Sequence, residues 1–131
     1  MDVNAIIALT STITTGSTAG DNTNVRIYDA GGGAAAVQTF SGAIGTTTNR
    51  VGTLQVGGVT TDGGSGNFNA DVAVTNLNIA AGVESSELSL GAFAGNVNAT
   101  TITLTDADAT INATLEMDGA SVKTLSGTVD G

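Results

Sequence analysis

Apolar and polar residues alternate with a period of two in short runs along the chain, as in Thr100-Thr101-Ile102-Thr103-Leu104-Thr105. That period turns successive side chains to opposite faces of an extended backbone, and the residues in these runs are rich in β-branched types, so each run predicts a strand. No stretch carries an apolar stripe at helical spacing without Gly, Asn or Thr interrupting it, so very little helix is expected. Further strands are predicted at Val51 to Val56, Ser86 to Leu90, Thr110 to Leu115 and Ser121 to Leu125. Turn signals fall between the runs at Gly31-Gly32-Gly33, Gly57-Gly58, Asp62-Gly63-Gly64-Ser65-Gly66, Gly82 and Asp118-Gly119.

The runs are also copies of one another. Laying Asp71-Val72-Ala73-Val74-Thr75-Asn76-Leu77-Asn78-Ile79 over Asn96-Val97-Asn98-Ala99-Thr100-Thr101-Ile102-Thr103-Leu104 keeps every inward-type position in register, without a gap, at an offset of 25 residues. Phe68 precedes Phe93 by the same 25, Phe40 opens a similar Phe40-Ser41-Gly42-Ala43-Ile44-Gly45, and Leu125-Ser126-Gly127-Thr128-Val129-Asp130 closes the series. A unit of this length suits one coil of a β-solenoid, in which every strand pairs with its equivalent in the next coil and like residues stack.

The fold expected is therefore all-β: a small parallel β-solenoid, or β-helix, of short strands bounded by Gly, Asn and Thr. A β-sandwich of the pilin-like type is the alternative, because many short strands with turn signals suit either. In the solenoid, Phe40, Phe68, Phe93 and Leu125 would form one inner ladder and Leu54, Leu77 and Ile102 another. Asn76, Asn78, Asn96 and Asn98 would lie at turns or outward, with stacked amides bonding along the axis. Residues 1–131 are read as one β domain, with pairing or capping strands in 1–39 and the repeat region in 40–131. An uncapped coil leaves an open edge, and the apolar Val3 to Thr15 is the segment expected to pair, to exchange between chains, or to cover one end.

Composition narrows the chemistry. Twelve acidic residues against Arg26, Arg50 and Lys123 give a formal net charge of −9, and the three cations are scattered, so neither nucleic acid nor an anionic membrane surface is an expected partner. Cysteine and histidine are both absent, which removes disulfides, thiolate metal sites and the usual activated nucleophiles. The start, Met1-Asp2-Val3-Asn4-Ala5-Ile6-Ile7, has no basic region followed by a long apolar one, so neither a signal peptide nor a membrane-inserted span is read there. Charged residues are only 11%, leaving a surface of hydroxyls and amides of the kind exported proteins carry.

Individual candidates are outweighed by simpler readings. Asp106 and Asp108 are spaced to share one face and hold Ca²⁺ with backbone oxygens, but a solvated turn is the favoured reading. Asp62-Gly63-Gly64-Ser65-Gly66-Asn67-Phe68-Asn69 resembles a calcium β-roll repeat, yet Phe68 occupies the place of its aspartate. Glu84 and Glu87 lie close enough for acid–base work, in a serine-rich turn without a basic or aromatic partner. Tyr28 is the only tyrosine available as a sugar platform. Asn98-Ala99-Thr100 and Asn112-Ala113-Thr114 match the N-glycosylation pattern by chance composition. No catalytic, cofactor-binding or metal residue is assigned, no cofactor is expected, and the chain is not read as an enzyme.

Three stretches, Phe40-Ser41-Gly42-Ala43-Ile44-Gly45, Arg50-Val51-Gly52-Thr53-Leu54-Gln55-Val56 and Leu125-Ser126-Gly127-Thr128-Val129-Asp130-Gly131, together with Gly95-Asn96-Val97-Asn98-Ala99-Thr100-Thr101, resemble the repetitive passenger regions of bacterial autotransporter surface proteins of the rickettsial outer-membrane and surface-layer antigen type. The resemblance implies a rigid β-solenoid outside the cell, serving as a surface coat or adhesive stalk. Such passengers are tethered by a C-terminal membrane barrel, and this sequence contains none. A self-assembling subunit of an extracellular filament or layer is the second reading, and a carbohydrate-acting or calcium-dependent solenoid the third. Expected partners are copies of the chain in a homo-oligomer or filament, or neighbouring repeats of a longer chain, with a host or surface glycan as receptor.

Overall fold

The alternation is realised strand by strand. In β5 (Val51–Val56), Leu54 and Val56 are fully buried while Thr53 and Gln55 beside them reach solvent. The computed structural model describes residues 2–3, 8–15, 23–28, 37–58, 63–81, 89–106, 112–119 and 121–130. Besides β5, these hold β1 (Asp2–Val3), β2 (Ala8–Leu9), β3 (Asn24–Ile27), β4 (Val37–Phe40), β6 (Gly64–Phe68) and β7 (Val72–Ala81). The C-terminal part adds β8 (Ser89–Phe93), β9 (Val97–Asp106), β10 (Ala113–Met117) and β11 (Leu125–Asp130), and no helix occurs among the described residues.

Odd-numbered strands form one sheet, in the order β1-β3-β5-β7-β9-β11, and even-numbered strands form the other, β10-β8-β6-β4-β2. Pairing is parallel throughout. The chain therefore winds through one sheet and then the other, coil upon coil. That is a parallel β-solenoid, and it rules out the sandwich, whose hairpins would pair sequence neighbours antiparallel.

Register follows the repeat. Val72 pairs with Val97, Leu77 with Ile102 and Ile79 with Leu104, the offset of 25 residues read in the sequence. Val25, Leu54, Leu77, Ile102 and Val129 make one inward ladder, and Ile27, Val56, Ile79 and Leu104 another. In the second sheet, Phe40, Phe68 and Phe93 stack with ring centroids 5.2 and 4.7 Å apart and planes within 16° and 11° of parallel. One core results, shared by both sheets.

Leu125 is the exception. Its strand pairs with β9, with Leu125 opposite Val97, whereas the Phe ladder continues to Met117 at one end and Leu9 at the other. The pattern of an apolar residue, a small residue, glycine and a branched residue recurs at two different phases of the coil, so likeness in composition did not fix position. Ser121 to Leu125 likewise precedes the strand, which begins at Leu125. The glycines of Gly64-Ser65-Gly66 lie within β6 instead of forming a turn. A Cβ on Gly66 would come within 2.8 Å of the Phe68 ring, and one on Gly91, its register partner, within 2.9 Å of the Phe93 ring. These glycines make room for aromatic stacking rather than for chain reversal.

Each coil turns after its Phe row, and the backbone there bonds coil to coil. Ser41, Asn69, Ala94 and Asp118 donate N–H to the carbonyls of Leu9, Phe40, Phe68 and Phe93, each at 2.8 Å. At the start of the next strand, Ile13, Ile44, Val72 and Val97 donate to Ala43, Asp71, Asn96 and Thr124 at 2.9, 3.1, 2.9 and 2.9 Å. Corner backbone groups are thus satisfied as regularly as those in the sheets. Within Val3 to Thr15, Val3 of β1 pairs with β3, β2 pairs with β4 and Ile13 bridges Ile44, so the described residues of this segment pair with the following coil.

Candidate functional site

Among the described residues, those singled out in the sequence are not gathered into a site. Asp106 accepts a hydrogen bond from the backbone N–H of Ala113 and so helps hold the approach to β10. Asp108, Asp62, Glu84 and Glu87 lie outside the described residues. Phe68 is core, which leaves no β-roll aspartate at that position. Among the described residues no three carboxylates come together as a metal site. Tyr28 lies at the end of β3 with the Arg26 guanidinium 4.8 Å from its ring centre, a cation–π contact worth about 0.5–1 kcal/mol at an exposed position. Asn98 and Thr100, from the first glycosylation pattern, both accept hydrogen bonds from Arg50; Asn112, from the second, is exposed and Thr114 half-buried.

What the fold does assemble is a groove of about 480 Å³ along the corner that leads into the odd-numbered sheet. It crosses four successive coils. One wall is the row Asp71, Asn96 and Thr124, the residues before Val72, Val97 and Leu125. Asp71 Oδ1 accepts from Asn96 N at 2.8 Å and from Asn96 Nδ2 at 3.1 Å, and Asn96 Oδ1 accepts from Thr124 N at 3.1 Å. Side chains along the axis therefore continue the coil-to-coil bonding of the backbone, with Asn96 joined to a carboxylate and a backbone N–H rather than to a stacked amide.

The groove's depth comes from small residues. Gly45 and Ala73 stand in the same row as Asn98 and Ser126, and Ala73 is only 5% exposed. Gly45 has φ of +72°, and a Cβ there would lie 2.0 Å from the Ala73 carbonyl oxygen, so the position demands glycine. Thr46 and Thr47 complete the rim from a tight loop in which Thr46 N donates to Asn49 O at 3.0 Å and Asn49 N donates to Thr46 Oγ1 at 2.9 Å.

Arg50 ends that loop and fastens it. Its guanidinium donates to Val74 O at 3.3 Å, to Thr100 Oγ1 at 3.1 Å and to Asn98 Oδ1 at 2.5 Å, so one side chain from β5's coil reaches across β7 to β9. The planar fork of arginine suits several acceptors at once, where lysine would offer a single point. Neither this staple nor the groove was legible in the sequence: Gly45 and Arg50 bracket a threonine run, but nothing local to it indicates which residues two coils on lie beneath.

A smaller depression of about 290 Å³ lies on the outward face beside Asn24, Arg26, Thr53 and Gln55. Asp2 is the register neighbour of Arg26 there.

Fold and groove together define a class, a two-sheet parallel β-solenoid with polar outward rows. Compared with known proteins, the chain matches no family model, no curated sequence and no solved structure.

Proposed function

We propose that this chain is a structural segment of a bacterial extracellular surface protein, of the autotransporter-passenger kind, forming part of a rigid coat or adhesive stalk. The observation that carries the reading is the continuity of the inner ladders, which run coil after coil through both sheets and make stiffness the property in which the sequence is most invested. Outward rows such as Thr53, Asn76, Thr101 and Thr128 are uncharged and polar, suited to an exposed surface in salt or shear. Antibody raised against residues 1–131 and applied to intact, unpermeabilised source cells tests it. Surface staining is expected; staining only after permeabilisation overturns the reading.

A filament subunit is the second reading, favoured by one observation. Leu125 and Val129 occupy ladder positions on β11 yet are 40% and 58% exposed, so the ladder has apolar surface there for a further coil or a second copy to cover. Negative-stain electron microscopy over a range of concentrations, with and without calcium, discriminates the two. Regular fibres or sheets support the subunit, and discrete particles at every concentration exclude it.

A further inference from the structure

We propose that the groove bounded by Asp71, Asn96, Thr124 and Thr47 binds an extended, uncharged oligosaccharide lying along the solenoid axis. This rests on the adhesive reading above and names the ligand class for it. Shape is the first argument: the groove crosses coils whose strands are spaced about 4.8 Å apart, so its occupant is a chain presenting similar groups at similar intervals rather than a compact molecule.

Hydrogen-bonding capacity is the second. Asp71 commits Oδ1 to Asn96, and Asn98 commits its carbonyl oxygen to Arg50, whereas among the described residues Asp71 Oδ2 and Asn98 Nδ2 have no protein partner. Both belong to the groove lining, with the hydroxyls of Thr47 and Thr124, while that of Thr46 is engaged by Asn49 N and Thr48 Oγ1. A carboxylate oxygen accepts sugar hydroxyls in charge-assisted bonds, and an amide nitrogen donates to sugar oxygens.

The alternatives fit less well. The lining itself carries the Asp71 carboxylate and no cation, the nearby Arg50 guanidinium is committed to three acceptors, and the chain has a net charge of −9, so phosphate, sulfated and uronic chains are disfavoured. A single carboxylate makes a poor calcium site, which needs six to eight oxygens. An added peptide strand would need unpaired backbone groups, and those of the corner are already bonded coil to coil. Without an aromatic platform, affinity should be weak, with Kd on the order of 1 mM.

The test is a ¹H–¹⁵N correlation titration of the 131-residue chain with cellohexaose, laminarihexaose, mannohexaose and chitohexaose, each to millimolar concentration. At least one should shift the Asn98 side-chain amide and the backbone amides of Thr46, Thr47, Thr124 and Ser126. Asp71→Asn, which keeps an acceptor for Asn96 but removes the charge, should weaken binding about threefold. Ser126→Arg and Thr47→Arg should each block it while the rest of the spectrum stays that of the folded protein. No shift with any of the four sugars overturns the proposal, as do shifts that persist in both blocked variants. Groove shifts produced by calcium chloride or oligogalacturonate but by none of the neutral sugars overturn it too. Because the titration uses purified protein, its failure leaves the surface location standing, and failed surface staining leaves a positive titration standing.

Discussion

Truncating Phe68 to alanine should be the most damaging single change in the aromatic ladder. Its ring is 1% exposed and stacks on two others, Phe40 at 5.2 Å and Phe93 at 4.7 Å. Burial of a phenylalanine contributes about 1.5–3 kcal/mol, and each aromatic pair adds about 0.5–1.5 kcal/mol. Parallel strands on both sides hold the backbone in place, so the site collapses little and a cavity remains. The expected cost is at the upper end of the ~3–5 kcal/mol typical of buried Phe→Ala, a large share of the roughly 5–15 kcal/mol that stabilises a domain. Phe40→Ala loses one aromatic neighbour instead of two and should cost less by about 0.5–1.5 kcal/mol. Urea unfolding followed by far-ultraviolet circular dichroism measures both, and a fall in melting temperature of about 10–20 °C for Phe68→Ala should accompany the loss. A cost below about 1 kcal/mol, or a Phe40→Ala cost equal to that of Phe68→Ala, would refute the stacked ladder.

Other perturbations separate the inside of the coil from the outside. Phe68→Asp and Phe93→Asp should abolish folding, whereas Thr101→Asp, flanked by Asn76 and Thr128 on the outward face, should stay within about 0.5 kcal/mol of the parent by the same unfolding assay. Gly45→Ala should cost more than about 2 kcal/mol, since it adds left-handed backbone strain to a collision with the Ala73 carbonyl, and the loss should appear as a lower urea midpoint. Arg50→Ala removes hydrogen bonds from a charged donor to three acceptors and should lose about 1–3 kcal/mol; Arg50→Lys should recover only part of it by thermal melting.

Those predictions draw on parts of the molecule that were unequally legible in the sequence. The gapless offset from Val72 to Val97 gave the register of β7 on β9, because two coils with equal turn lengths preserve spacing as well as pattern. Phe40, Phe68 and Phe93 were recognisable despite unequal spacing, since each is a large aromatic in a chain with so few. Leu125 was misplaced because its surrounding motif marks local backbone preference and carries no information about phase. Gly66 looked like a turn residue, as its reason for being small, the ring beside it, is visible only once coils are stacked. Residues 24–27 had too short an alternation to be joined to the repeat, yet Val25 and Ile27 stand in the same ladders as Leu54 and Val56. The groove depends on residues separated by roughly one, two and three coils, with Arg50 reaching Asn98 across 48 positions, and such a separation is set by turn lengths that no local pattern specifies.

The coil-on-coil register underlies the ladders, the groove and the functional reading alike, and the absence of native cysteine makes it directly testable by disulfide trapping. Thr53, Asn76 and Thr101 are successive members of one outward row. Neighbouring strands lie about 4.8 Å apart, within disulfide reach, and strands two coils apart lie about twice that distance, beyond it. On oxidation, the double variants Thr53→Cys/Asn76→Cys and Asn76→Cys/Thr101→Cys should cross-link within the monomer, and Thr53→Cys/Thr101→Cys should not. Efficient closure of the Thr53/Thr101 pair, with neither neighbouring pair closing, would contradict the solenoid.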